Sequence, residues 1–402
     1  MAGSDLPAQG KLPVLIVGAG VTGLLIAHGL KKAGISFRIF EYEASSDQYR
    51  PREWSMAIHW SLPLLESLLP DDLIPRLKEP QNDPFFDHKA DDVMRIYNGE
   101  TGDVLKEMPI GKSIRVSRRK LRAFCSQGID VELSDLSYSP DGTGVEASFV
   151  NGEKVLGSLI IGSDGPRSKV RDLLLGPDQA ATTPLEVVHV NVVVNYGDAE
   201  KAKFVRSSHP VFSFTIHPNG VMAFLSIQDV PDPDKPETWR FQVVTSWMGR
   251  PDSTLDNVGR LAQVKAKAKD LADPFRSAVL WIPDDTKVTY NSIGYWVTKP
   301  WENHGGRVTL AGDAAHPMPP HRGQGLNHAI CDAANLVEAL ANVQRGDVAR
   351  EDAITTYDRE VVRRGADEVT SSKHTALAMF NWDVFMESPM IKMALKKAEL
   401  DK

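Results

Sequence analysis

Cysteine is nearly absent: Cys125 and Cys331 are the only two in 402 residues, too few for a disulfide framework. That scarcity fits a reducing, cytoplasmic setting. No stretch approaches the ~18 consecutive apolar residues that a spanning helix needs. The segment ahead of Val14 has no basic n-region and no small-residue cleavage site, so it is not expected to be a signal peptide. Positive charge is also in deficit, with 46 Lys and Arg against 53 Asp and Glu and a net charge of −7. Nothing in that balance points to nucleic acid. The 11 histidines show no ligand spacing, and His316 and His321 flank a proline-rich loop rather than a helix face, so no metal is expected. There are no internal repeats. The 42% hydrophobic and 25% charged residues are those of an ordinary globular chain, long enough for two interleaved domains.

The order of apolar runs suggests an α/β fold. Residues 14–17 (VLIV) read as a buried parallel strand, a glycine turn follows, and a helical pattern runs to about Ala33. Gly34 ends that helix, and a second strand occupies residues 37–40, completing a βαβ unit. Helices are expected at 62–69, 118–125, 255–272, 329–344 and 350–364, with a last amphipathic piece reaching Lys402. Short strands are expected at 145–150, 159–162 and 308–310. From Leu185 to Trp247 the texture changes to long β-runs, with His217–Gly220 (HPNG) the plainest hairpin signal.

Two glycine motifs carry chemistry. In Gly18-Ala19-Gly20-Val21-Thr22-Gly23, Gly18 permits a tight turn, Gly20 admits a pyrophosphate, and Gly23 lets the helix pack on the strand. The helix N-terminus adds free N–H groups and the positive end of its dipole. Glu41 closes the next strand, 23 positions beyond Gly18, where a carboxylate accepts ribose hydroxyls. That acid favours FAD or NAD over a 2′-phosphorylated dinucleotide. The second motif begins at Gly312-Asp313 after a short strand and continues to Gly323, Gly325, Leu326 and Asn327. Asp313 suits ribityl hydroxyls, and the amides of Gly323 to Leu326 suit a flavin pyrimidine edge. A helix N-cap for Asp313 and a plain loop turn for the glycines are the alternatives.

These motifs, with Gly162-Ser163-Asp164-Gly165-Pro166-Arg167-Ser168-Lys169-Val170-Arg171, resemble those of the class A flavin-dependent aromatic hydroxylases, including fungal FAD-dependent monooxygenases of secondary metabolism. The resemblance covers about residues 12 to 365. It implies that Gly18, Gly20, Gly23 and Glu41 hold the ADP half of FAD, that Gly312 and Asp313 hold the ribityl chain, and that Asp164 lies near FAD and a transient NAD(P)H. It also implies that Arg118, in Arg118-Arg119-Lys120-Leu121, contacts FAD. Arg52, Ala57 and His59 fall in a segment that lies along the flavin in such enzymes. The implied fold is a Rossmann-like FAD-binding domain (8–75, 105–180 and 295–365) interleaved with an antiparallel-sheet substrate domain (76–104 and 181–294), followed by C-terminal helices (366–402).

The implied reaction uses NAD(P)H and O₂ to hydroxylate or epoxidise an electron-rich, polycyclic aromatic or indole-type small molecule through a flavin C4a-hydroperoxide. A flavin oxidase or dehydrogenase is one rival; a non-catalytic protein on the same scaffold is another. There is no second GxGxxG to hold a resident nicotinamide nucleotide. The Trp281-Ile282-Pro283 fragment of a flavin-halogenase signature lacks its first Trp, since position 279 is Val, and reads as coincidence. In the strand pattern at 187–195, Val188, Val190, Val192 and Val194 share one face, and His189 and Asn191 the other. His189, Asn191 and His59 are therefore the candidate substrate-facing residues, with solvent as the alternative. The arginine that relatives are expected to carry on this strand is absent.

Overall fold

The structure, a computed structural model, describes residues 12–42, 53–89, 91–133, 136–141, 144–149 and 154–392. Val14–Val17 forms the centre of a five-stranded parallel sheet in the order Val308–Leu310, Leu159–Gly162, Val14–Val17, Phe37–Glu41, Val131–Leu133. Its four side chains are all buried, which is why the run is uniformly apolar rather than alternating. Helix Val21–Lys32 covers the sheet, and Gly29 lets helix Gly325–Arg345 approach it closely: a Cβ there would sit 2.5 Å from Val337.

The second sheet has seven strands, in the order Tyr290–Asn291, Val187–Asn195, Arg240–Met248, Val221–Asp229, Phe212–Ile216, Val93–Asn98, Val104–Pro109. All neighbours are antiparallel except Phe212–Ile216 with Val93–Asn98. The hairpin at His217–Gly220 forms as its sequence suggests, with Gly220 at φ +84°. Val188, Val190, Val192 and Val194 bury one face beneath helices Ala199–Arg206, Asn257–Ala268 and Phe275–Leu280. Ile282 and Trp281 pack into that same core, on the face turned away from the one that carries His189 and Asn191.

Several elements differ from expectation. Helix Gly325–Arg345 starts four residues earlier than its apolar periodicity, because its first turn is polar and glycine-led. Helix Arg350–Ala378 runs well past Arg364, where no breaker intervenes. The helix expected at 255–272 spans only Asn257–Ala268, N-capped by the side chain of Asp256. Strands Val93–Asn98 and Val104–Pro109 have few fully buried positions and therefore little alternation to read. Beyond helix Arg350–Ala378, the C-terminal segment folds back: Met379, Phe380, Phe385 and Ile391 are buried against Phe214, Ile216 and Met222 of the large sheet. Among the described residues no helix is long and apolar enough to cross a membrane.

Candidate active site

The first glycine turn is built around three different demands. Gly18 has φ +103°, and a Cβ there would lie 2.6 Å from the Ser163 carbonyl oxygen; one at Gly23 would lie 2.0 Å from the Gly18 carbonyl oxygen. Both are glycines because the backbone itself crowds them. Gly20 is otherwise: its φ of −73° suits any residue, and a Cβ would meet no protein atom within 4 Å. A glycine that the protein does not require leaves room for something outside it. The first intrahelical bond is Leu24 N–H to Gly20 O, so the N–H groups of Val21, Thr22 and Gly23 have no helix acceptor, and no acidic side chain stands in that first turn. This is a donor set for a pyrophosphate.

Glu41 is buried beside this turn. Its Oε2 accepts from Ala19 N–H at 3.0 Å and from Arg122 Nη2 at 3.3 Å, while Oε1 accepts from Tyr42 N–H at 3.0 Å. A carboxylate in this place has the acceptor chemistry that a ribose hydroxyl needs. Arg122, which the sequence did not single out, also donates to the Ala19 carbonyl at 2.9 Å. It lies one helical turn beyond Arg118, and that i,i+4 spacing was the available signal.

Asp313 stands at the end of Val308–Leu310 and its carboxylate hydrogen-bonds no described residue. Its Oδ1 lies 3.9 Å from where a Cβ of Gly325 would be, at the mouth of helix Gly325–Arg345. Burial pushes its pKa up, and the charges of His316, Arg118 and Arg171 pull it back. The first bond of that helix is His328 N–H to Gln324 O, so the N–H groups of Gly325, Leu326 and Asn327 also lack helix acceptors. Gly323 adopts a left-handed φ of +63° that closes the preceding turn. Gly312, at φ +62°, brings the turn against Thr22; a Cβ would meet its Oγ1 at 2.5 Å. The two glycine motifs, about 290 residues apart in sequence, are therefore in contact.

Buried charges fix this second turn. Asp332 accepts from Gly312 N–H at 2.6 Å and from His316 Nε2 at 2.7 Å through Oδ2, and from Arg364 Nη2 at 2.6 Å through Oδ1. Burial alone would raise the Asp332 pKa, but His316 and Arg364 bring it down to about 2. Arg171 joins the turns at 162–171 and 312–315, donating to the carbonyls of Ala314 (2.8 Å), Pro166 (2.6 Å) and Ala180 (2.9 Å). Asp164 caps helix Lys169–Leu175 through Oδ2, accepting from Lys169 N–H at 2.7 Å, while its Oδ1 is buried without a protein partner.

Residues 53–61 run between the large sheet and helix Gly325–Arg345, Ser55 bonding Gln242 on one side and His59 bonding Asn327 on the other. Strand Ser55–Ile58 pairs antiparallel with Ile114–Ser117, setting Ala57 opposite Arg115. Asn327 clamps this segment: its Oδ1 accepts from His59 N–H and Ser61 Oγ, and its Nδ2 donates to the carbonyls of Ala57 and Gly323. With its side chain so occupied, only its backbone N–H is left for a ligand. Arg118 heads helix Arg118–Cys125 and lies over the ring of Trp54, 5.0 Å from its centroid. Arg52 lies outside the described residues.

On the large sheet, Asn191 does not face solvent. Its Nδ2 donates to the Glu53 carbonyl at 3.2 Å, and its Oδ1 is buried with no protein partner. His189 Nδ1 is 2.7 Å from Ser246 Oγ, and burial takes its pKa down to about 4. His321 approaches it edge-on, with 6.2 Å between centroids, and contacts Phe380 at 5.9 Å. Both ring nitrogens of His321 are buried and unpartnered, and burial lowers its pKa to about 3. The sequence placed His321 beside a proline-rich loop without assigning it; its role rests on tertiary contacts that local pattern does not record. His59 is half-buried, its pKa lowered by burial and then by the charge of Arg115.

Comparison with known proteins decides the identity of this assembly. Residues 127–372 match the family described as FAD binding domain. The chain is 45% identical to the FAD-dependent monooxygenase phnB of Penicillium herquei, covering 94% of each chain. It is 36% identical to the FAD-dependent monooxygenase cctM of Talaromyces islandicus, covering 96% of this chain and 97% of that one. The chain belongs to the class A FAD-dependent monooxygenases, of the fungal secondary-metabolism type. The monooxygenase fold also superimposes on Klebsiella pneumoniae HpxO, crystallised with FAD and uric acid, at a TM-score of 0.73 and 18% identity over 97% of this chain and 94% of that one. The 2,6-dihydroxypyridine-3-hydroxylase of Arthrobacter nicotinovorans gives 0.71 at 19% identity, covering 93% and 94%. FAD is the cofactor of this monooxygenase, and the free donors at both glycine turns fit its two ends.

Proposed function

We propose that this monooxygenase takes two electrons from NAD(P)H and inserts one oxygen atom of O₂ into an electron-rich, fused-ring aromatic or indole-type small molecule. The balance is substrate, O₂, NAD(P)H and a proton giving hydroxylated product, water and NAD(P)⁺; epoxidation of such a ring consumes the same reagents. One observation carries the reading: Asn191 Oδ1, on the sheet face that meets Glu53, and both nitrogens of His321, which packs against His189 of the same strand, are buried and unpartnered. Buried polar atoms without partners cost free energy unless something else supplies the bond. The ring compounds named with the solved neighbours, uric acid and 2,6-dihydroxypyridine, support a flat heteroatom-bearing substrate.

The bound flavin supplies the electron relay and oxygen activation. Gly18, Gly20, Gly23 and Glu41 hold its ADP half, with Arg122 ordering Glu41. Asp313 takes the ribityl hydroxyls, and the N–H groups of Gly325, Leu326 and Asn327 meet the pyrimidine edge. Asp164 and Arg118 border the cofactor, and Arg52 and Ala57 belong to the segment beside it. Asn191, His189 and His321, neutral at pH 7, orient the substrate without adding charge, while Phe380 and Met379 close the chamber against water. The buried Cys125 thiol, its pKa raised to about 12 by burial, is unreactive, in keeping with a cytoplasmic setting.

The test is turnover of fused-ring phenols and indoles with NAD(P)H under ¹⁸O₂, followed by mass spectrometry. One ¹⁸O per product is the expected result. NAD(P)H consumption that yields only hydrogen peroxide with every compound, or oxygen derived from water, refutes the proposal and favours an oxidase.

A further inference from the structure

Arg115 is a buried cation without an anion. It is 9% exposed, and no carboxylate of a described residue forms a salt bridge with it. Its Nε donates to Ser55 Oγ at 2.9 Å and Ser226 Oγ at 2.8 Å; Nη2 makes one long contact, 3.5 Å, to the Ser55 carbonyl; Nη1 donates to no described residue. The guanidinium lies over Phe212 and Phe224, 4.7 and 5.0 Å from their centroids, which hold its plane. Burial alone lowers its pKa to about 9, with no neighbouring charge offsetting the loss of solvent. Every other well-buried arginine discussed above is matched: Arg122 by Glu41, Arg171 by four backbone carbonyls, Arg364 by Asp332 and Glu360. Removing a charge from water is expensive unless it is paired, so an uncompensated guanidinium held against Ser226, Phe212 and Phe224 of the large sheet marks the place of a partner that arrives from outside.

Its location identifies that partner. Ser226 and Phe224 stand on the same face of the large sheet as Asn191, since Asn191 pairs with Val244 and Val244 with Phe224. Two inter-strand spacings put Asn191 and Phe224 about 10 Å apart. The strand at 187–195 carries no arginine, yet Arg115, from the strand Ile114–Ser117, brings one to that face. We propose that Arg115 is the anion subsite of the substrate chamber, pairing with an ionised oxygen (an aromatic carboxylate or an acidic phenol or enol) at one end of a flat molecule whose other end reaches Asn191 and His321. This deepens the oxygenase reading and rests on it for the identity of the chamber. An ionised phenol or enol so placed feeds electron density into its ring, the condition for attack on an electrophilic oxygen; the guanidinium holds that charge rather than neutralising it by proton transfer.

Binding of two matched probe pairs to the oxidised, FAD-loaded protein tests this, read from the flavin absorbance spectrum: 2-naphthoate against 2-naphthamide, and 2-hydroxy-1,4-naphthoquinone against its methyl ether. The wild-type protein should bind at least one anion about 10- to 150-fold more tightly than its neutral partner, the factor expected of a charge-assisted hydrogen bond. The pair that shows the preference tells carboxylate from enolate. Arg115→Gln should abolish the preference at unchanged FAD content, and Arg115→Lys should keep part of it. Equal wild-type affinity for both members of both pairs overturns the proposal even if Arg115→Gln fails to fold, and so does an undiminished preference in folded Arg115→Gln. Should ¹⁸O transfer fail while the anion preference holds, the oxygenase reading falls and the subsite stands.

Discussion

Replacing Asp332 by Asn keeps shape and removes one charge at the point where three segments meet. The amide oxygen can accept from Gly312 N–H and His316, but its NH₂ then faces Arg364 Nη2, donor against donor; the flipped amide sets the same conflict against Gly312 and His316. Truncating one partner of a buried ion pair costs about 3–5 kcal/mol. With an unfolding entropy of about 2.1 cal/mol/K per residue, this corresponds to a drop of roughly 4–6 °C in apparent Tm for a chain of this length. The pH profile adds a second reading. Asp332, held at about 2, contributes stability that is full above about pH 4 and is lost as pH falls through its folded value. His316, raised by Asp332 against the opposing effect of burial, contributes stability that is full below about 6.5 and is lost as pH rises through its raised value. Wild-type stability should therefore show a broad optimum between these limits, and Asp332→Asn should lose both arms. Thermal unfolding of the FAD-loaded and FAD-free forms across pH 3–9 is the assay. A variant within about 1 °C of wild type, with the same pH profile and FAD affinity, would refute the reasoning.

The remaining predictions concern ligands directly. Gly20→Val should fold, since a Cβ there meets no protein neighbour within 4 Å, yet purify colourless; normal FAD stoichiometry would show the turn to be only structural. Asp313→Ala should weaken FAD binding by roughly 1.5–3 kcal/mol, the value of a charge-assisted hydrogen bond, and wild-type affinity by titration would remove it from the cofactor site. Asn191→Ala should keep FAD and its reduction by NAD(P)H but divert turnover to hydrogen peroxide, with a 5- to 150-fold loss of oxygenation for the roughly 1–3 kcal/mol of a lost buried hydrogen bond. An unchanged ratio of product to NAD(P)H would take Asn191 out of the chamber.

That the chain takes FAD was legible because the signal for it is local. Gly18, Gly20 and Gly23 act through backbone conformation at one strand-to-helix turn, so residue type and spacing report them, although Gly18 and Gly23 also abut Ser163 from a distant strand. The alternation of Val188 to Val194 likewise reported which face of the strand is buried. The bonds of Asp332 to His316, of Arg171 to Ala314 and the contact of His321 with His189 were not legible, because they join segments 16 or more residues apart that only the tertiary fold brings together. Arg115 shows the same gap from the other side: an arginine was sought along one strand, whereas the fold brings one in from a strand some 75 residues earlier. Periodicity assigns a residue to a face; it does not say what the opposing face carries.

Helix Arg350–Ala378 gives the two halves of the molecule a shared mechanical member. From Arg364, which grips Asp332 behind the second glycine turn, to Ala378, next to Met379 and Phe380, is a rod of about 21 Å at 1.5 Å per residue. It carries no proline to absorb a bend. The helix therefore joins the Asp332 charge cluster at the second glycine turn to the side chains packed on the large sheet as one unbroken element. One continuous rod thus spans from the second glycine turn to the segment that packs on the large sheet.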